Sequence, residues 1–194
     1  MLPFGFVTTL TLTSALRTTA PPEPRGWVPE PRLAQAAQLL ALSETGRAAL
    51  AQYDASGYEV RFAQPAERAA NTASGLAQAA GRAPDFLTDH TFGRVLILGD
   101  SLPPAALAVG LVHELIHIRG GALPGSWGIG QEEIAAWETA LDYFTTLPAP
   151  LRQEAAGKYQ PYADWHTRDR AGFRATFRCV FPGTPGCPTA ASPP

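Results

Sequence analysis

The sequence predicts an α+β fold in which a small mixed sheet lies beside a buried helix, and a second helix carrying glutamates follows. Three observations support this. Residues 58–62 alternate apolar and polar side chains, as a half-buried strand does. The segment 94–98 has four consecutive apolar residues after Arg94, which indicates a buried strand. Residues 105–112 carry no charged or polar side chain, which fits a helix buried on nearly all sides. The 194 residues suit one domain with a real core.

Composition excludes two classes of partner. A net charge of -2 provides no basic surface, so no nucleic acid is expected. The apolar run at residues 4–16 is too short to cross a bilayer, so no membrane span is expected either. The hydrophobic content of 45% is ordinary for a globular protein. Nothing in the sequence indicates the oligomeric state.

The sequence divides into four regions. Residues 1–20 are either a weak signal peptide or an N-terminal arm, because the apolar run has no basic residue before it. Residues 21–32 are proline-rich and predict a linker. Residues 33–181 form the main domain, and residues 182–194 form a tail rich in proline and glycine.

Two cysteines bear on the compartment. Cys179 and Cys187 bracket a turn-rich segment and either close a small disulfide loop or remain free thiols. A disulfide fits an oxidising compartment. Together with the apolar start, the pair favours an extracellular or cell-envelope location, with the cytoplasm as the alternative.

Helices open the main domain. The pattern of residues 33–42 is helical, and Ser43 can cap a second helix that reaches about Tyr53. Residues 54–57 predict a turn before the first strand. Residues 64–85 show no clean period and receive no assignment.

The central elements follow in close succession. Residues 86–92 predict a hairpin arm that pairs with the strand at 94–98. Pro103 and Pro104 then fit the first turn of the buried helix, where a missing N–H costs nothing. The pair Gly120 and Gly121 supplies its C-terminal stop.

Three helical patterns complete the domain. After a glycine-rich loop at 120–130, residues 131–147 predict a helix that ends at Pro148. A short helix follows as far as Tyr159, and a further helical stretch includes Trp165, Phe173 and Phe177.

The buried helix carries the motif H-E-x-x-H as His113, Glu114 and His117. On a helix the two histidines lie one turn apart on one face, so both imidazoles can bind one metal ion. Glu114 lies beside them and can act as a general base on a metal-activated water. The spacing therefore predicts a catalytic zinc site.

The motif resembles that of the zincin metallopeptidases. The metzincin extension is absent, because Leu123 occupies its third-histidine position and Met1 is the only methionine. The sequence HELIH with its downstream glutamate helix, over about residues 94–145, resembles the gluzincins, and above all their small minimal members. This resemblance implies a zincin-like fold, one zinc ion per chain, and an extended peptide bound beside the edge strand of residues 86–98.

The resemblance also implies a third zinc ligand on the following helix. Glu132 and Glu133 both precede an alanine by three residues, as in many gluzincins, and Glu133 is favoured because it shares a helix side with small residues. Glu138 falls on another side. His166 remains open as a ligand, a donor to the oxyanion or a surface histidine. Tyr143, Tyr159 and Tyr162 are unranked candidates for the same donor role.

The function that follows is zinc-dependent hydrolysis of peptide bonds, with a peptide or protein as substrate. The ligands are His113, His117 and Glu133, and Glu114 is the general base. Two alternatives stay open. One is a zincin-like binding or envelope protein without catalysis, and the other is a purely structural zinc site in which His166 is a fourth ligand.

Overall fold

The computed structural model describes residues 26–72, 85–121 and 127–179. Within these ranges the protein has a mixed α+β architecture of seven helices and one three-stranded sheet, in agreement with the predicted fold class. The predicted N-terminal region 1–20 and the tail 182–194 lie outside the described residues. Cys179 is disulfide-bonded, and Cys187, the other cysteine of the sequence, also lies outside them.

Two helices begin the fold. Helix α1 is Pro31–Leu40, and the Glu30 carboxylate caps it by accepting hydrogen bonds from two backbone N–H groups of its first turn. Helix α2 is Glu44–Ser56, capped by the Ser43 hydroxyl as predicted. It continues through the predicted turn and ends at Gly57, whose positive φ of 69° suits glycine.

The prediction of a linker at residues 21–32 is wrong for its described part. Trp27 is buried and forms a parallel bridge with Val60, and α1 begins at Pro31. The proline-rich composition predicts a linker, but proline is also compatible with the first position of a helix, where its missing N–H is not needed. The folded domain therefore begins before residue 33.

The sheet is mixed, as expected. Strand β1 is Glu59–Phe62, β2 is Phe86–Asp89 and β3 is Arg94–Ile97, in the order β1-β3-β2. Strand β3 is central and pairs parallel with β1 and antiparallel with β2. Strand β2 therefore forms one edge of the described sheet. Helix α3, Pro65–Thr72, follows β1 in the region that received no assignment.

Helix α4, Pro104–Gly120, is the centre of the molecule. Its residues 105–112 are all buried, and it packs against α1, α2, β2 and the two helices that follow it. Gly121 ends it with a φ of 67° and donates its N–H to the carbonyl of His117. Since apolar contacts surround the helix, its three polar motif residues are held in a rigid setting.

Three more helices follow α4, of which the first two pack against it and the third packs against those two. They are α5, Trp127–Thr146; α6, Ala149–Arg168; and α7, Arg170–Arg178. Helix α5 begins earlier than predicted, and α6 runs on past Tyr159 with Pro161 inside it. An apolar cluster fills the space between α5, α6 and α7 and comprises Ile134, Leu141, Tyr162, Phe173 and Phe177.

Gly130 sets the contact between α5 and α7. A Cβ atom at this position would lie 2.3 Å from the backbone oxygen of Arg178, so the two backbones approach too closely for any side chain. Helix α7 therefore rests directly on the first turn of α5. None of the helices in the described ranges combines the length and apolar character that a membrane span requires.

Candidate metal centre

Helix α4 presents both motif histidines toward α5. The Nε2 atoms of His113 and His117 lie 3.3 Å apart, as the one-turn spacing predicts. Only small fractions of these side chains are exposed, 13% for His113 and 8% for His117. Two ring nitrogens therefore converge in a largely dry space.

Helix α5 adds a carboxylate to the same space. Glu133 Oε1 lies 3.3 Å from His117 Nε2, and Glu133 Oε2 lies 3.6 Å from His113 Nε2. Ala136 and Ala140, on the same side of α5, are fully buried, and α5 packs along α4. Among the described residues, His113, His117 and Glu133 form the one group of three histidine, cysteine or acidic side chains whose ligand atoms could hold a metal ion.

Charges in this group favour a cation. Burial lowers the pKa of His113 to about 3, so that ring is neutral and its nitrogen is open to a metal. Burial also acts to lower the pKa of His117, but the hydrogen bond and charge of Glu133 outweigh it and raise this pKa to about 9. Since the metal-free group holds a proton at His117, binding of a divalent ion would replace that proton.

Glu114 lies beside the group without belonging to it. Glu114 is 6% exposed, and its carboxylate accepts a hydrogen bond of 2.7 Å from the Thr88 hydroxyl on β2. Burial raises the pKa of Glu114, while the neighbouring His117 and the Thr88 hydrogen bond oppose that rise. A buried carboxylate with a raised pKa next to a metal site is suited to proton transfer.

Strand β2 reaches Glu114 because Gly110 lets it approach. A Cβ atom at Gly110 would lie 2.2 Å from the ring of Phe86, so the ring occupies the space that a side chain would fill. Thr88 is two residues further along β2 and points to the same side. The sequence did not indicate this contact, because it joins residues far apart in the chain.

A second carboxylate lies on the other side of His117. Glu132 Oε2 is 3.4 Å from His117 Nδ1, the ring nitrogen that faces away from Glu133. Glu132, weighed as a ligand from the sequence, is therefore not in the metal-facing group. Glu132 instead contacts His117 on the side of the ring that faces away from Glu133.

Aromatic side chains close one wall of the site. Trp137 meets the His113 ring edge-on, with centroids 5.0 Å apart, and Tyr162 stacks on Trp137 at 4.4 Å.

Lys158 pairs with Asp85 and lies 5.3 Å from the centroid of Phe86. Its positive charge acts to lower the pKa values of His113 and Glu114.

The remaining candidates lie apart from the metal-facing group. His166 Nε2 is 3.1 Å from Glu138 Oε1, so the two weaker ligand candidates pair with each other. The hydroxyl of Tyr159 donates to the backbone oxygen of Ala106, and that of Tyr143 is buried with no hydrogen-bond partner among the described residues. These contacts therefore assign no oxyanion role to His166, Tyr159 or Tyr143.

Comparisons with known proteins found no relative of this chain. No protein-family model, no curated protein and no solved structure matches this chain.

Proposed function

We propose that this protein is a zinc-dependent metallopeptidase of the gluzincin type, with a zincin-like fold. The observation that carries the proposal is the convergence of His113, His117 and Glu133 beside Glu114, a buried carboxylate outside the ligand group. Three protein ligands and an adjacent general base are the parts that a hydrolytic zinc site needs.

The ligand separations support zinc as the metal. In a tetrahedral zinc site with bonds of about 2.0–2.1 Å, two ligand atoms lie roughly 3.3–3.4 Å apart. His117 Nε2 lies 3.3 Å from both His113 Nε2 and Glu133 Oε1, which matches this spacing, and the other Glu133 oxygen, Oε2, lies 3.6 Å from His113 Nε2. Two imidazoles and one carboxylate are also a donor set that zinc accepts.

The chain's own residues have distinct tasks in this mechanism. A zinc ion held by these ligands would supply a Lewis acid for the scissile carbonyl and would lower the pKa of a water molecule toward about 7. Glu114 accepts a proton from the attacking water and returns it to the leaving amine. Thr88 holds the Glu114 carboxylate in place from the strand side.

The substrate would bind along β2. This strand is at an edge of the described sheet and lies against α4, so an extended peptide added beside it would run past Glu114. The same strand carries Thr88, which ties the position of the general base to the strand where the peptide binds. A peptide or protein substrate is therefore the class that fits.

The two alternatives have less support. A structural zinc site needs a fourth protein ligand, and its candidate His166 pairs with Glu138 instead. A carboxylate is costly to bury, and Glu114 is buried with Thr88 as its hydrogen-bond donor. A binding protein without catalysis would have no use for this arrangement.

Zinc content tests the ligand set. Elemental mass spectrometry after exhaustive dialysis is expected to give one zinc ion per chain for the wild type and almost none for Glu133→Ala or His113→Ala. Glu138→Ala is the matched control, because it removes another glutamate of α5 that contacts a histidine, and it should retain zinc. Unchanged zinc in Glu133→Ala would contradict the assignment.

Hydrolysis tests the general base. The wild type is expected to cleave a denatured mixed protein substrate, and a chelator should abolish the cleavage. Glu114→Gln should keep its zinc and lose activity by about 10²–10⁴-fold. Full activity in Glu114→Gln would exclude the proposed role, and a zinc-loaded wild type without activity would favour a binding protein.

A further inference from the structure

The ring of His117 lies between two consecutive glutamates. Its Nε2 atom faces Glu133 at 3.3 Å, and its Nδ1 atom faces Glu132 at 3.4 Å. The two nitrogens point to opposite sides of an imidazole, so these carboxylates cannot exchange places without turning the ring. Each glutamate therefore has its own side of the histidine.

Gly120 provides the space for the rear carboxylate. A Cβ atom at this last residue of α4 would lie 2.1 Å from Glu132 Oε1 and 2.2 Å from its carboxyl carbon. The Glu132 side chain is only 14% exposed, so it fills the gap left by the glycine. This close fit is a second observation, independent of the ring contact, that places Glu132 against the end of α4.

A neutral imidazole carries one proton, and the hydrogen bond of one nitrogen decides which nitrogen is left to bind a metal. A carboxylate that accepts from Nδ1–H keeps the proton there, fixes the plane of the ring, and makes Nε2 a stronger donor. The removal of such an outer partner typically weakens metal binding by about 10–100-fold.

We propose that Glu132 is a positioning residue that accepts a hydrogen bond from His117 Nδ1–H and so directs His117 Nε2 toward the metal. Gly120 is the second part of this device, because it admits the carboxylate. The inference rests on the proposed zinc centre and deepens it. It separates the tasks of two adjacent glutamates, of which Glu133 binds the metal and Glu132 orients a ligand.

Zinc affinity provides the first test, measured by competition with a chromophoric chelator. Glu132→Ala is expected to weaken zinc binding by about 10–100-fold, and Glu132→Gln by less, because an amide oxygen can still accept the hydrogen bond. Gly120→Ala should weaken binding similarly by displacing the carboxylate. Glu138→Ala is the control and should leave the affinity within twofold.

The double variant Gly120→Ala/Glu132→Ala distinguishes positioning from general damage. Alanine at Gly120 should cost no further affinity once the carboxylate is gone, so the two effects should not add. Additive losses, or a Glu132→Ala variant that binds zinc as tightly as the wild type, would overturn the inference.

Nuclear magnetic resonance of the metal-free chain gives a readout that does not depend on zinc. The Nδ1 proton of His117 should be protected from exchange in the wild type and lose that protection in Glu132→Ala. An unchanged signal would refute the contact. If the wild type bound no zinc, the proposed function would fail, while this signal would still decide whether Glu132 holds the ring.

Discussion

Replacing Thr88 with valine is expected to destabilise the metal-free protein by about 1.5–3 kcal/mol. Valine keeps the β-branched shape that suits a strand and removes only the hydroxyl. That hydroxyl donates a 2.7 Å hydrogen bond to Glu114, whose side chain is almost fully buried. Hydrogen bonds to charged groups contribute about 1.5–3 kcal/mol, and few water molecules can reach this carboxylate to replace the lost donor.

Urea unfolding at neutral pH, in the presence of a chelator, measures this cost. Thr91→Val is the matched control, because Thr91 is exposed in the turn between β2 and β3, and it should change the free energy of unfolding by less than about 0.5 kcal/mol. A double-mutant cycle with Glu114→Gln isolates the charged contact, since a hydrogen bond to a neutral amide contributes only about 1 kcal/mol.

Two results would refute the reasoning. The first is a Thr88→Val variant as stable as the wild type. The second is a cost that remains the same when residue 114 is glutamine, because the loss would then not depend on the carboxylate.

Three further measurements follow from the structure. Arg61 holds the pKa of Glu67 at about 2, so the ion pair stabilises the folded state above the ordinary pKa of 4.5, and this stabilisation is lost as the pH falls toward 2. Glu67→Gln should therefore lower the free energy of unfolding by about 1 kcal/mol at pH 7. In urea titrations near pH 2 the variant and the wild type should be equally stable. Gly130→Ala should destabilise the protein by about 1–3 kcal/mol, because its Cβ would clash with the Arg178 backbone. Gly157→Ala, in open space on α6, should instead stabilise it by about 0.5–1 kcal/mol. Equal effects of the two substitutions in urea unfolding would contradict the contact. Zinc at 100 times its Kd should raise the free energy of unfolding by about 2.7 kcal/mol and the Tm by about 5–11 °C in calorimetry, and no shift would count against a metal centre.

Local patterns predicted the elements that form the site. The apolar run before His113 predicts a buried helix, and the apolar run at residues 95–98 predicts a buried strand. Strand β3 is buried on both faces, as that run implies. The preference for Glu133 over Glu132 followed from the small residues along one side of α5, and the structure places Glu133 in the metal-facing group.

Long-range contacts explain what the sequence did not reveal. The sequence predicts a loop at Gly130, but this residue lies within α5, where the close approach of the Arg178 backbone leaves no space for a side chain. The helix predicted as far as Tyr159 is longer than expected, because α6 continues through Pro161, with Tyr159 and Tyr162 buried on either side of the proline. In both cases tertiary packing overrides local propensity.

The same reason applies to Thr88. Its contact with Glu114 depends on how closely β2 lies to α4, and that distance is set by Gly110 and the ring of Phe86. No pattern within either segment carries that information.

The close contact between Gly130 and Arg178 has a consequence for the order in which the protein assembles during synthesis. Chains emerge from the ribosome from the N-terminus onward, and α7 is the last helix of the described residues to appear. Until then the first turns of α5, which carry Glu133, lack the surface on which they rest. We therefore expect a nascent chain to gain a complete set of metal ligands only after α7 has been synthesised.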